Sequence, residues 1–226
     1  MTPPSTLVFD LDGTLVETAP DLTAALNTVL AIEGLPRADP IRARNAIGHG
    51  ARAMIRRALT DISEPADDAR LDRLLSEFLD YYVAHIADES HPFPGVAEAL
   101  DRLEADGWQF AVCTNKRAPL ANKLLDALDM SRRFKVIAGP DTYGMAKPDP
   151  AHLTRTIAAA AGDTGRAIMV GDSRTDVDTA RAAAIPVIGV DFGYTDTPMA
   201  EIAPDVVISH YDALADAVTR LSHGWR

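Results

Sequence analysis

Residues 7–15 read Leu-Val-Phe-Asp-Leu-Asp-Gly-Thr-Leu. Two aspartates, Asp10 and Asp12, stand one residue apart at the end of an apolar run, with Gly13 directly behind them. A carboxylate buried without a partner is costly. The run therefore reads as a buried strand whose tip emerges at a place where two negative charges have something to bind. The rest of the chain repeats this rhythm. Short apolar runs at Leu7–Phe9, Phe110–Cys113, Val136–Ala138, Ala167–Val170, Val187–Val190 and Val206–Ile208 alternate, from Val96 onward, with helical patterns. One such pattern holds Leu120, Leu124, Leu125 and Leu128, another Leu153 and Ile157, and a third is alanine-rich from Asp176 to Ala184. Strands alternating with helices predict an α/β fold: a doubly wound parallel sheet with right-handed crossovers and helices on both faces.

Residues 17–92 break the rhythm. They show no convincing strand and three helical patterns, marked by Leu22, Leu26, Val29 and Leu30 (closed by Gly34), by Ile55 and Leu59, and by Leu71, Leu74, Leu75, Phe78 and Tyr82. The stiff segment His91-Pro92-Phe93-Pro94-Gly95 follows. The expected organisation is a catalytic core of residues 1–16 and 93–226, with residues 17–92 inserted after the first strand as a helical cap domain that can move relative to the core.

Composition narrows the function classes. With 226 residues and 47% apolar residues, the chain can build a substantial core. Its net charge of −11, with no basic block, argues against a nucleic-acid partner. No apolar run approaches the ~20 residues of a membrane helix, and no signal-peptide pattern opens the chain. Cys113 is the only cysteine, which rules out an intrachain disulfide and suggests a cytoplasmic setting. Cys113 itself reads as a buried strand residue. A monomer and a homodimer fit the sequence equally well.

In open α/β sheets, ligands bind beyond the carboxyl ends of the strands. There the sequence gathers Asp10, Asp12, Gly13 and Thr14, then Thr114 and Asn115, then Lys147-Pro148, then Gly171, Asp172, Ser173 and Asp176. Two acidic clusters, a hydroxyl and a lysine on one edge suit phosphoryl transfer. A carboxylate can attack phosphorus, but two like unit charges ~4 Å apart repel by about 4 kcal/mol at an effective dielectric of 20. Bound Mg²⁺ offsets that repulsion and prefers oxygen ligands. Asp10 and Asp172 are the expected direct carboxylate ligands. Asp176, one helical turn on, is expected to hold a metal-bound water. Thr114 and Lys147 are expected on the phosphoryl oxygens, with Asn115 beside them, and Asp12 as general acid and base. A calcium loop is excluded because Gly13 comes too early for its sharp turn.

Taken together, "DLDGT" at 10–14, "TN" at 114–115, "KP" at 147–148 and "GDSRTD" at 171–176 resemble, in order and spacing, the four motifs of the haloacid dehalogenase-like (HAD) hydrolase superfamily. The resemblance implies a Rossmann-like core, Asp10 as nucleophile, Asp12 as acid/base, and a metal held by Asp10, Asp172 and the main-chain carbonyl of Asp12. It also implies an aspartyl-phosphate intermediate. The stretches "FDLDGTLVETAPDLTAALN", "GHGARAMIRRAL" at 48–59 and "FGYTDTP" at 192–198 resemble the phosphoglycolate phosphatase group within it. That group more often has Asp-Ser where this chain has Glu17-Thr18, and Thr18 still offers a hydroxyl near Asp12. The implied substrate is a small phosphorylated metabolite, 2-phosphoglycolate. In the cap, His49 and Arg52 at a helix start are candidates for its carboxylate.

Other activities of the superfamily are weighed against the same residues. Asp12 argues against dehalogenation, and the absence of any lysine before Lys116 argues against a Schiff-base phosphonatase. A β-phosphoglucomutase-like mutase usually carries Val where this chain has Thr14. Pyrophosphatase and nucleotidase readings remain open. A catalytically silent binding protein on this fold would be expected to lack one of Asp10, Asp12, Lys147 or Asp172, and all are present.

Overall fold

The computed structural model describes residues 4–225. Its six-stranded sheet is parallel throughout. The strands are β1 (Thr6–Phe9), β4 (Gln109–Cys113), β5 (Phe134–Ala138), β6 (Ala167–Gly171), β7 (Val187–Val190) and β8 (Val206–Ile208), in the spatial order β5-β4-β1-β6-β7-β8. The chain winds outward from β1 in one direction through β4 and β5, then crosses back to build β6, β7 and β8 on the other side. This is the doubly wound α/β arrangement, and its switch point lies beside β1. All six strands expected from sequence are present, each matching or slightly longer than its apolar run.

Period-two alternation explains why the sheet is buried on both faces. Leu7 and Phe9, Phe110 and Val112, and Ile168 and Val170 point into one apolar cluster. Val8, Ala111 and Cys113, and Ala167 and Met169 point into the other. Helices α5 (Val96–Ala105), α6 (Ala118–Ala127) and α11 (Leu214–Leu221) cover the first face through Leu100, Leu124 and Leu214. Helices α8 (Pro150–Ala159), α9 (Arg174–Ala182) and α10 (Met199–Ile202) cover the second through Leu153, Val177 and Met199. The short helix α7 (Pro140–Tyr143) follows β5. Cys113 is fully buried in β4, and burial pushes its thiol up to about 12, so it stays an unreactive core residue.

Between β1 and α5 lie four helices: α1 (Ala19–Ile32), α2 (Pro40–Ala46), α3 (Ala51–Asp61) and α4 (Asp68–Ala84). Leu22, Leu26, Val29 and Leu30 on α1, Ile55 and Leu59 on α3, and Leu71, Leu74, Phe78 and Tyr82 on α4 are the buried stripes expected from their spacing. Two features correct the sequence reading. Helix α2 has no periodic apolar stripe, burying only Ala43 and Ala46, and is set by the Asp39 N-cap and Pro40 at its first turn. The insertion is also not free of strand. Val16–Glu17 (β2) pairs antiparallel with His91–Pro92 (β3), so that both chain crossings meet in one short ribbon.

Asp21, in the first turn of α1, ties this ribbon to the helices. Its buried carboxylate accepts hydrogen bonds from Glu89 N at 3.1 Å, Ser90 N at 2.8 Å and Ser90 Oγ at 2.6 Å. Truncation would strand two main-chain donors. We expect Asp21→Ala to lower unfolding free energy by about 3 kcal/mol, measured by urea denaturation. A loss under about 0.5 kcal/mol would show that the ribbon is held by other contacts.

Candidate active site

Asp10 follows directly from β1, and its N–H extends the ladder to Val170 O at 2.9 Å. Thr114 extends β4 in the same way, donating to Ala138 O at 3.0 Å. Asp172 follows β6, and Lys147 lies on the segment between α7 and α8. The parallel sheet thus delivers these residues to one edge, as the sequence reading expected, and all four side chains are buried there.

Carboxylate oxygens of Asp10, Asp172 and Asp176 lie within 4.8 Å of one another. The ammonium of Lys147 sits among them, 2.9 Å from Asp10 Oδ1 and 2.6 Å from Asp176 Oδ1. Burial raises the Asp10 carboxyl to about 6, with Lys147 pulling down and Asp176 pushing up. Burial also drives Asp172 well above the usual carboxylate range, reinforced by the charges of Asp176 and Asp10. For Lys147, burial acts to lower the pKa, but the charges of Asp10 and Asp176 outweigh it and hold the group above its ordinary value. Three carboxylates against one ammonium leave a buried negative excess. Asp10 Oδ1, though close to Lys147, accepts no hydrogen bond from any described group. An oxygen donor set of excess negative charge with an orphaned carboxylate oxygen fits a hard divalent cation.

The surrounding residues hold this cluster in place. Tyr194 N donates to Asp172 Oδ2 at 2.6 Å and Thr14 Oγ1 donates to Asp172 Oδ1 at 3.2 Å. A Val at position 14 would lack that donor. Gly13, at φ +81°, and Gly193 both press against Asp172, where a Cβ on either would overlap its carboxylate. Asp176 spends its second oxygen on Ser173, accepting from Ser173 N at 3.1 Å and Oγ at 2.6 Å, while Ser173 Oγ caps α9. Ser173 is therefore engaged as a helix cap. The Asn115 side-chain amide donates to Lys147 O at 3.1 Å and its Oδ1 accepts from Lys147 N at 2.9 Å, so the amide fixes the lysine loop at the edge of the cavity. Thr114 Oγ1 accepts from Lys116 N at 3.1 Å and faces the cavity, with its own proton available.

Asp12 has partners of its own outside the three-carboxylate cluster. Its Oδ1 accepts from Thr18 Oγ1 at 2.7 Å and from Lys116 Nζ at 3.0 Å. The Thr18 contact is the one expected from sequence, and the Lys116 contact is not. Lys116 is buried, its Nζ 4.7 Å from the centre of the Tyr82 ring. Burial acts to lower its pKa, but neighbouring Asp12 holds it raised. A second group that sequence reading did not single out is Tyr194. Its hydroxyl donates to Glu17 Oε1 at 2.6 Å and accepts from Thr18 N at 2.6 Å and Ala19 N at 3.0 Å, capping α1. Arg44 on α2 lies 4.5 Å over its ring, donating to Glu17 Oε2 at 2.9 Å and to Phe192 O at 3.1 Å.

A cavity of about 270 Å³ opens between the sheet edge and the inserted helices. Asp10, Asp12, Thr114 and Lys116 form its floor, while Met54, Leu75, Phe78 and Tyr82 are among its roof residues. His49 and Arg52 line its rim. The guanidinium of Arg52, however, is paired to Asp68 at 2.8 Å and to Asp72, so it already has carboxylate partners on α4.

Comparison with known proteins agrees with this geometry. The family profile described as haloacid dehalogenase-like hydrolase matches residues 7–190. A phosphoglycolate phosphatase of Mesorhizobium japonicum is 52% identical over 208 residues, covering 92% of each chain. One from Agrobacterium fabrum is 46% identical, covering 93% of this chain and 91% of its own. Among solved structures, a predicted phosphoglycolate phosphatase from Haemophilus somnus superposes with a TM-score of 0.88 at 28% identity, covering 96% of this chain and 99% of its own. With the sheet, the edge and the four motifs in register, the chain belongs to the haloacid dehalogenase-like hydrolase family.

Proposed function

We propose that this hydrolase is a Mg²⁺-dependent phosphomonoesterase that cleaves 2-phosphoglycolate to glycolate and phosphate. The observation that carries the reading is the buried set of three carboxylates with one lysine among them, beside Asp12 and beneath a cavity roofed by the inserted helices. The names of the relatives supply the substrate. Residues 1–16 and 93–226 would act as catalytic core and residues 17–92 as cap, hinged at the β2–β3 ribbon. A cytoplasmic location accompanies this reading. No helix among the described residues is long and apolar enough to cross a membrane.

Asp10 and Asp172, with the main-chain carbonyl of Asp12, would hold Mg²⁺, and Asp176 would steady the surrounding shell. When bound, the cation supplies charge neutralisation and polarisation of the phosphoryl group. Lys147 and the Thr114 hydroxyl would take the remaining phosphoryl oxygens. Asp10 then attacks phosphorus in line, forming an aspartyl-phosphate, while Asp12 gives its proton to the departing glycolate oxygen. Asp12, now a carboxylate, accepts a proton from water, which attacks phosphorus and releases phosphate and the Asp10 carboxylate. Thr18 and Lys116 orient Asp12 for both transfers. The cap roof excludes bulk water during the first transfer.

Two outcomes test the reading. Asp10→Asn should lower hydrolysis of 2-phosphoglycolate and of p-nitrophenyl phosphate by at least about 1,000-fold. It should also melt no lower than the wild type, because it removes one of three crowded carboxylates. Activity within tenfold of the wild type would exclude Asp10 as nucleophile. The second outcome follows from linkage. Metal-free, Asp10 keeps its proton to about pH 6 when folded and loses it near 3.8 when unfolded, so its contribution to stability falls as pH rises through that window. Protons compete with the cation for the same oxygens. The rise in Tm on adding Mg²⁺ should therefore be larger at about pH 7.5 than at about pH 5. An increment independent of pH, read by differential scanning fluorimetry, would place the cation elsewhere.

A further inference from the structure

Two side chains that line the cavity, Tyr82 and Lys116, each carry a donor that the chemistry at phosphorus leaves unused. Tyr82, on α4, is 1% exposed, and its hydroxyl has no hydrogen-bond partner among the described residues although the side chain lines the cavity. Lys116, on the core side of the cavity, spends its ammonium on the two Asp12 oxygens at 3.0 and 3.3 Å. An ammonium carries three donors, so one remains beyond the Asp12 pairing. The two side chains touch, with Nζ 4.7 Å from the Tyr82 ring centre.

A ligand group that satisfies both must accept from both. A carboxylate has two oxygens and only accepts. A methyl or an aromatic ring would leave the donors unmet. Met54, Leu75 and Phe78, among the roof residues beside Tyr82, offer no hydrogen bond to the hydroxyls of a sugar. Arg52, one of the two cap candidates for the carboxylate, is already held by Asp68 and Asp72. In 2-phosphoglycolate the carboxylate carbon is two bonds from the ester oxygen. A cation contacting the acid that protonates that oxygen is within its reach.

We propose that Lys116 of the core and Tyr82 of the inserted helices form the subsite for the leaving-group carboxylate and are the specificity-determining pair of this hydrolase. The inference rests on the phosphomonoesterase reading and adds where its selectivity lies. Because one donor comes from the core and the other from the inserted helices, a bound carboxylate would contact both.

The test uses the full chain with Mg²⁺ and compares kcat/KM for 2-phosphoglycolate with that for ethyl phosphate, in which a methyl replaces the carboxylate. Tyr82→Phe removes one oxygen that has no partner and keeps the ring, so the variant is expected to fold. The ratio of the two kcat/KM values should fall about tenfold in Tyr82→Phe and further in Lys116→Met, mainly through KM for 2-phosphoglycolate. Lys116→Arg should restore part of the ratio. A ratio within twofold of the wild type in both Tyr82→Phe and Lys116→Met would overturn the assignment, whatever the absolute rates. A wild type that hydrolyses neither ester would instead sink the phosphomonoesterase reading itself.

Discussion

The structure depends on how three buried carboxyl groups are accommodated at one sheet edge, two of them by a single lysine and the third by Thr14 and Tyr194. Asp10, Asp172 and Asp176 would repel one another in an apolar interior, and among the described residues Lys147 is the cation paired with Asp10 and Asp176. The fold meets this demand by arranging everything else around it. The switch point of the sheet brings β1 and β6 side by side, so Asp10 and Asp172 emerge as neighbours. Gly13 and Gly193 leave room for the Asp172 carboxylate, Thr14 and Tyr194 donate to it, and Asn115 pins the loop that carries Lys147. The residual negative charge gives the cluster a donor set that could hold a metal ion.

A second layer of contacts links this cluster to the inserted helices. Thr18 touches Asp12, its main chain is capped by Tyr194, and Tyr194 is in turn bonded to Glu17 and covered by Arg44. Tyr194 also positions Asp172 through its main-chain N–H. One short loop thus supports both an acidic residue of the cluster and the first turn of α1. The β2–β3 ribbon lies at the same junction, and Phe93 N bonds Leu15 O at 3.0 Å to continue it. Any movement of the helices relative to the sheet would pass through these few residues, a natural place for a hinge.

Much of this was legible in the sequence, because the deciding signals are local. Each strand is a short apolar run ending in polar residues, and each motif lies directly after one. Features that depend on distant partners, or that lack an apolar period, leave no such local signal. Helix α2 is seven residues long and buries only two alanines, so nothing but its Asp39-Pro40 start announced it. The β2–β3 ribbon joins two-residue strands with no hydrophobic pattern of their own. Lys116 meets Asp12 across 104 residues of chain, and Tyr194 meets Thr18 across 176. Lys116 does follow the second motif directly, and Tyr194 falls inside the quoted "FGYTDTP" stretch, but their partners were invisible. Arg52 shows the converse. Its neighbourhood at a helix start suggested an anion site, while the acidic residues that occupy it come from α4.

The central claim, that the Asp10–Asp172 edge is a divalent-cation site, is open to direct observation. Crystals grown with Mn²⁺ in place of Mg²⁺ would report the ion by its anomalous scattering. The account predicts one strong peak within coordination distance of the Asp10 and Asp172 carboxylates and of the Asp12 main-chain carbonyl. A cluster with no peak, and Lys147 still bridging Asp10 and Asp176, would contradict it.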